Sequence, residues 1–341
     1  MREPDFEGNL KKVLKKQKPD RPTLFEFIIS EEAEKVLSGY EMKEDSEEER
    51  IKRKIKAFYH AGYDFVPFLP GNLWFERSAH TTAETYSLNE GGLITDRESF
   101  ERYPWPDKKD IHFRTLEIAQ KYLPDGMKIM TYCPDGILEN VIGLCGYENL
   151  CYLLMDDREL VRQIFDEVGK RIESYLIATL SFDCVGMTFC NDDWGFKNST
   201  MISHDDLREF IYPYYTRIAK ATHEKGKVIG MHSCGNFRGI YEELYEKIGF
   251  DGKHSNEDTI LPVEEAYDRY SGKIAILGGI DINFLCRADE EAIRKRCETM
   301  LEKSRENGGY ALGSGNSIAR YVPLKNYFTL LKTVNPDLKL S

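Results

Sequence analysis

The chain has 341 residues, 41% hydrophobic and 31% charged, with a formal net charge of −11 and no long Lys/Arg run. That balance argues against nucleic acid or an anionic membrane as a partner. No apolar stretch approaches the ~18 residues of a transmembrane helix, and the polar residues 1–18 lack the apolar core of a signal peptide. A cytoplasmic location is therefore expected. The eight cysteines are expected as reduced thiols, and they form no CxxC pair of the zinc-finger kind.

In chain order, apolar runs predict strands over 23–29, 64–69, 128–133, 184–192, 227–234, 250–256, 273–281 and 309–316. Amphipathic stretches predict helices over 108–122, 158–180, 203–225, 237–247, 262–270 and 289–306. Ser203 reads as an N-cap, with Asp206 three residues on. The charged stretch 44–56 reads as a solvated helix. Eight strands alternating with helices predict an α/β fold, a (β/α)8 TIM barrel with a parallel sheet, as one domain over residues 1–341. Residues 1–20 read as a polar N-terminal extension, and 71–99 as an insertion with a small hairpin over 82–95. A doubly wound open sheet is the alternative. It calls for a Gly-rich phosphate loop after an early strand, and none is seen.

A barrel carries its chemistry at the C-terminal ends of its strands. The run Val228-Ile229-Gly230-Met231-His232-Ser233-Cys234-Gly235-Asn236 ends one of them. Residues two apart on a strand share a face, so His232 and Cys234 read as two soft metal ligands side by side. Zinc suits mixed nitrogen and sulfur donors, and an open coordination position would make the site catalytic. A third ligand has to come from another strand. Cys190, Asp192, Asp193 and Asn316 are the candidates, with Cys190 the thiol among them.

Other rim groups carry two readings each. Asp192 and Asp193 suit substrate positioning or helix capping, and Asp281, after Gly278-Gly279, suits a carboxylate aimed into the mouth. His254 is a catalytic candidate or a satisfied rim histidine. Gly313 and Gly315, with Asn316, end the last strand and would admit a cofactor close to the backbone. Trp74, Phe75, Trp105 and Trp194 suit an aromatic pocket wall, although core packing explains such residues more often.

These pieces resemble the uroporphyrinogen decarboxylase superfamily of (β/α)8 barrels. The matching parts are Ile202-Ser203 to Glu209-Phe210, Pro213-Tyr214, His232-Ser233-Cys234-Gly235-Asn236, Gly278-Gly279-Ile280-Asp281, Gly313-Ser314-Gly315-Asn316 and Pro323-Leu324-Lys325-Asn326. Its decarboxylase branch uses no cofactor and grips substrate carboxylates with an Arg-Gln-Ala-Gly-Arg motif. The corresponding residues 25–32 have no arginine and three glutamates, which would repel that substrate. That branch also keeps a histidine where Asn316 stands.

The resemblance lies with the cobalamin-dependent methyltransferase branch. It implies Zn2+ held by His232 and Cys234, and a second cysteine where this chain has Asn316. It further implies a small methylated substrate, such as a methoxylated aromatic, and methylcobalamin or another corrinoid on a separate corrinoid protein, since the chain lacks an Asp-x-His-x-x-Gly motif. A homodimer is the default expectation for such barrels. The alternatives are tetrapyrrole decarboxylation and a non-catalytic tetrapyrrole- or corrinoid-binding barrel.

Overall fold

The computed structural model describes residues 2–77, 88–89 and 92–339. Seven strands form one sheet: β1 (Phe65–Phe68), β2 (Lys128–Tyr132), β3 (Val185–Asn191), β4 (Val228–His232), β5 (Gly252–His254), β6 (Ala275–Leu277) and β7 (Tyr310–Ala311). They lie in chain order and every neighbouring pair is parallel. All seven fall inside predicted strands.

The eighth position is taken by the segment around Leu24, which makes a parallel bridge to Leu312 beyond β7. Phe25 N–H donates to the Leu312 carbonyl, and Leu312 N–H donates to that of Thr23. The Phe25 ring then stacks on Phe65 of β1, with centroids 5.3 Å apart. The strand expected over 23–29 is thus reduced to isolated bridges at Leu24 and Ile29. The backbones approach closely just past the Leu24 bridge: a Cβ on Gly313 would lie 1.7 Å from the Phe25 carbonyl oxygen. With helices returning the chain between parallel strands, this is a (β/α)8 barrel.

Residues 2–20 are less peripheral than their polarity suggests. Phe6, Leu10, Val13 and Leu14 are buried, and the short helix Leu10–Leu14 packs against β4 and β7. Leu14 enters the interior, where a Cβ on Gly252 of β5 would come within 2.5 Å of it. The extension therefore closes the bottom of the barrel, the end opposite the strand C-termini. The hairpin expected over 82–95 lies largely outside the described residues. Among the described residues, no helix is long and apolar enough to cross a membrane.

The helix predicted over 203–225 is two helices, His204–Phe210 and Tyr212–Glu224. They break at Ile211, where Pro213, lacking an N–H, starts the second one. Ser203 caps the first by accepting from Asp206 N–H. The stretch 237–247 is mostly turns leading into a π-helical turn, Leu244–Ile248, and 108–122 is a 3-10 turn followed by the helix Arg114–Ala119. The helix Ile137–Cys145, between β2 and β3, has no counterpart among the predicted elements.

The Gly313 contact sets a test of the seam. Gly313→Ala forces backbone apart from backbone and should cost about 3 kcal/mol in chemical denaturation. Gly272→Ala, with nothing within 4 Å of the added methyl, should stay within about 0.5 kcal/mol of wild type.

Candidate active site at the barrel mouth

The parallel register places Asn191 of β3 beside His232 of β4, and His232 beside His254 of β5. These residues form one layer at the strand ends. The His232 ring lies 5.1 Å from Phe27, which also meets Phe189, and the His254 ring lies 5.2 Å from Phe25. Both histidines therefore face an aromatic interior. β4 ends at His232, so Cys234 lies beyond the strand and not on its face. It still reaches the histidine, with Sγ 3.6 Å from His232 Nε2.

Glycine makes that reach workable. Gly235 has φ +84°, and a Cβ there would sit 2.3 Å from the backbone carbon of Gly195. The loops after β3 and β4 therefore touch backbone to backbone, and only glycine at both positions allows it. Asp193 arrives on the first of these loops. Its Oδ1 accepts from Cys234 N–H at 2.8 Å and lies 3.8 Å from His232 Nε2. Among the described residues, Asp193, His232 and Cys234 form a group whose ligand atoms lie within 4.8 Å of one another. Asn316 Nδ2 donates to Cys234 Sγ at 3.1 Å, and Ser255 Oγ lies 3.9 Å from the same sulfur.

Cys190 is not brought to this group. Phe189 faces the interior, so its neighbour on β3 faces outward, and Cys190 is buried with Trp194 and Tyr215 beneath the helices. Of the four third-ligand candidates, Asp193 lies beside His232 and Cys234, Asn316 lies against the sulfur, and Cys190 and Asp192 point elsewhere.

The other rim candidates divide by what their oxygens already hold. Asp192 is fully buried and accepts from the N–H groups of Ile137, Leu138 and Glu139 and from Tyr215 Oη. It caps the helix Ile137–Cys145 from outside, a neutralising partner for its unpaired N-terminal donors. Asp281 caps Ile282–Arg287 through Phe284 N–H and accepts from Asp258 N–H with its other oxygen. It is not aimed into the mouth. The close approach permitted by Gly313 is to the Phe25 carbonyl, and that at Gly315 is to the Asn256 carbonyl, 2.3 Å from its added Cβ. Both glycines thus admit protein backbone rather than a cofactor. Of the aromatic candidates, Phe75 and Trp194 are buried core, whereas Trp74 is exposed.

Three buried ionisable groups near the mouth have no counterpart among the sequence candidates. Glu139, in the first turn of Ile137–Cys145, is pushed well up by burial and by the negative charges of Asp192 and Asp193. Asp192 holds four hydrogen bonds that favour its charge, whereas among the described residues Glu139 accepts from Gly136 N–H at 3.3 Å, so the proton of this pair belongs to Glu139. Its sequence context is that of an ordinary capping glutamate. Lys253 is buried, donates to the carbonyls of Ser233 and Ser255, and is lowered by burial to about 8. Glu26 is fully buried, raised by burial to about 8, and accepts from Ser314 N–H at 3.1 Å and Oγ–H at 2.7 Å. It stands in the stretch where the decarboxylase pattern has arginines.

Burial also sets the charge of the central pair. It lowers His232 to about 3 and holds His254 well below the usual imidazole range, so both rings are neutral near pH 7. The same desolvation, with Asp193 nearby, raises the Cys234 thiol to about 12.

Residues 92–336 match the Uroporphyrinogen decarboxylase (URO-D) family. The chain belongs to this family, within a superfamily of enzymes. The uroporphyrinogen decarboxylase of Anaeromyxobacter dehalogenans (strain 2CP-C) is 28% identical over 134 residues, 39% of this chain and 37% of that protein. That of Dechloromonas aromatica (strain RCB) is 23% identical over 202 residues, 58% of this chain and 55% of that protein. The chain thus matches well under two thirds of the length of these relatives. A methyltransferase from Methanosarcina mazei superposes with a TM-score of 0.70 at 16% identity, over 99% of this chain and 100% of that one. At that identity the likeness is one of fold.

The two aspartates should separate experimentally. Asp192→Ala leaves Leu138 and Glu139 N–H without an acceptor and Ile137 N–H with Tyr215 Oη alone, and should cost about 3 kcal/mol of stability in urea unfolding. Asp193→Ala loses one bond to a half-exposed loop and should cost about 1 kcal/mol.

Proposed function

We propose that this protein is a methyltransferase that moves a methyl group between a small methylated compound, of the methoxylated-aromatic kind, and a corrinoid carried by a separate protein, with zinc held at the barrel mouth. The observation that carries this reading is the convergence of Asp193, His232 and Cys234, with ligand atoms within 4.8 Å of one another. One nitrogen, one sulfur and one carboxylate suit zinc, and three protein ligands leave a fourth position for substrate. His232 would ligate through Nε2, Cys234 through Sγ and Asp193 through a carboxylate oxygen, with Asn316 beside the sulfur. Bound there, zinc supplies Lewis acidity, which weakens the bond from a methyl group to its heteroatom or makes a thiol acceptor nucleophilic.

The chain's own residues supply the rest. Glu139 keeps its proton at neutral pH and can give it to a departing oxygen. Phe27 and Phe189 close the interior side of His232, so substrate approaches from the mouth. Lys253 puts a positive charge behind Cys234, which favours the thiolate.

Decarboxylation of uroporphyrinogen is the second reading, favoured by the names of the relatives. Two features weigh against it. The stretch 25–32 offers no arginine, and its Phe25, Glu26 and Phe27 fill the interior beside the histidines with two rings and a buried carboxyl group.

The test is an assay with reduced cobalamin and a panel of methoxylated aromatics, followed by the change in corrinoid absorbance. Purified protein should carry about one zinc per chain. His232→Ala and Cys234→Ala should each lower the rate at least ~100-fold, and Glu139→Gln about 10- to 100-fold for ether substrates. Full activity in metal-free wild type, or CO2 release from uroporphyrinogen, would contradict the proposal.

The shifted thiol adds a pH prediction. With Cys234 raised to about 12, the sulfur is protonated at neutral pH, whereas His232, lowered to about 3, has no extra proton to lose. Zinc uptake must then expel one proton, from sulfur. Apparent affinity should rise about tenfold per pH unit between about pH 6 and 8, as measured by calorimetry in buffers of different ionisation enthalpy. A pH-independent affinity would contradict it.

A further inference from the structure

We propose that Glu26, Ser314 and His254 form a positioning chain that fixes His232 in the tautomer with its proton on Nδ1, so that Nε2 carries the free lone pair facing Cys234 and Asp193. The inference rests on the metal-site reading for its purpose, but not for its geometry.

The chain can be followed atom by atom. The Ser314 carbonyl oxygen accepts from Gly279 N–H at 2.8 Å and lies 3.1 Å from His254 Nε2. A carbonyl cannot donate, so His254 carries its proton on Nε2. A neutral imidazole protonated there has a bare Nδ1. His254 Nδ1 lies 2.9 Å from His232 Nδ1, and one of the two must donate. The donor is therefore His232, and its Nε2 is left bare. That nitrogen is the one 3.6 Å from Cys234 Sγ and 3.8 Å from Asp193 Oδ1.

Neither ring has another option. His254 is fully buried and His232 nearly so. Phe25 packs on His254 and Phe27 on His232, with centroids 5.2 and 5.1 Å apart, which hinders a ring flip that would exchange the nitrogens. Glu26 holds the far end. It accepts both the N–H and the Oγ–H of Ser314, so it anchors this residue while the carbonyl turns toward His254. A metal-binding histidine needs its second nitrogen tied to an acceptor, and such ties set both the tautomer and the ring orientation. Here the acceptor is a second histidine, itself set by a backbone carbonyl.

The test is two-bond 1H–15N NMR of the full-length, metal-free protein labelled at the histidine rings, with His232 assigned through His232→Gln. The chain has only seven histidines, so the spectrum is tractable. The expected result is a protonated Nδ1 and a bare Nε2 on His232. A His232 protonated on Nε2 would overturn the proposal without any variant being needed.

His254→Phe removes the acceptor and keeps the bulk. It should release His232 to the Nε2-protonated form and weaken zinc binding about 10- to 100-fold in chelator competition. Glu26→Leu should shift both readouts the same way, and Glu26→Gln, which can still hold Ser314, should largely restore them. Unchanged tautomer and zinc affinity in His254→Phe would overturn the proposal. If wild type shows the Nδ1-protonated tautomer yet binds no zinc, the positioning chain stands and the metal reading fails.

Discussion

The register of three parallel strands is the constraint on which the site depends. Asn191, His232 and His254 are direct neighbours across β3, β4 and β5, in one layer at the strand ends. Adjacent strands lie about 4.8 Å apart, which brings two inward imidazoles within hydrogen-bonding distance and leaves no room for water between them. A shift of one residue in β4 would turn His232 outward and Met231 inward. Beyond this layer the chain needs only a short excursion, permitted by Gly195 and Gly235, to set Asp193 and Cys234 beside the exposed nitrogen.

The mouth is rich in carboxylates, but most are already committed. Asp192 and Asp281 spend their oxygens on helix N-termini, and Glu26 spends its own on Ser314. Asp193 instead faces His232 and the Cys234 amide, and Glu139 is kept protonated by burial. The site thus combines a group able to take a cation with one able to release a proton. The two differ in environment rather than in kind.

Much of this was legible in the sequence. Seven of the eight apolar runs hold the strands and the eighth holds the bridges at Leu24 and Ile29, and the His-x-Cys-Gly run marks the mouth. His232 and Cys234 lie side by side, though not on one strand face as their spacing predicts: Cys234 lies past the strand end and reaches the histidine through a turn. Cys190 could not be placed because β3 is buried on both faces. A continuous apolar run gives no sign of which parity points inward. The helix Ile137–Cys145 was invisible for a related reason: it is buried almost all round and lacks the polar face that marks a helix by its period. With it went Glu139 and the capping role of Asp192. Glu26 read only as one of three glutamates in an arginine-free stretch, and its burial against Ser314 depends on the seam with the last strand, which a single stretch of sequence does not show.

The central claim, that the mouth holds a mixed-donor metal site, is tested most directly by X-ray absorption at the zinc edge of the loaded protein. The account predicts a four-coordinate metal with a single sulfur at about 2.3 Å and the remaining ligands nitrogen and oxygen near about 2.0 Å. That sulfur should disappear in Cys234→Ser. A sulfur-free shell, a shell with several sulfurs, or spectra unchanged by the substitution would contradict it.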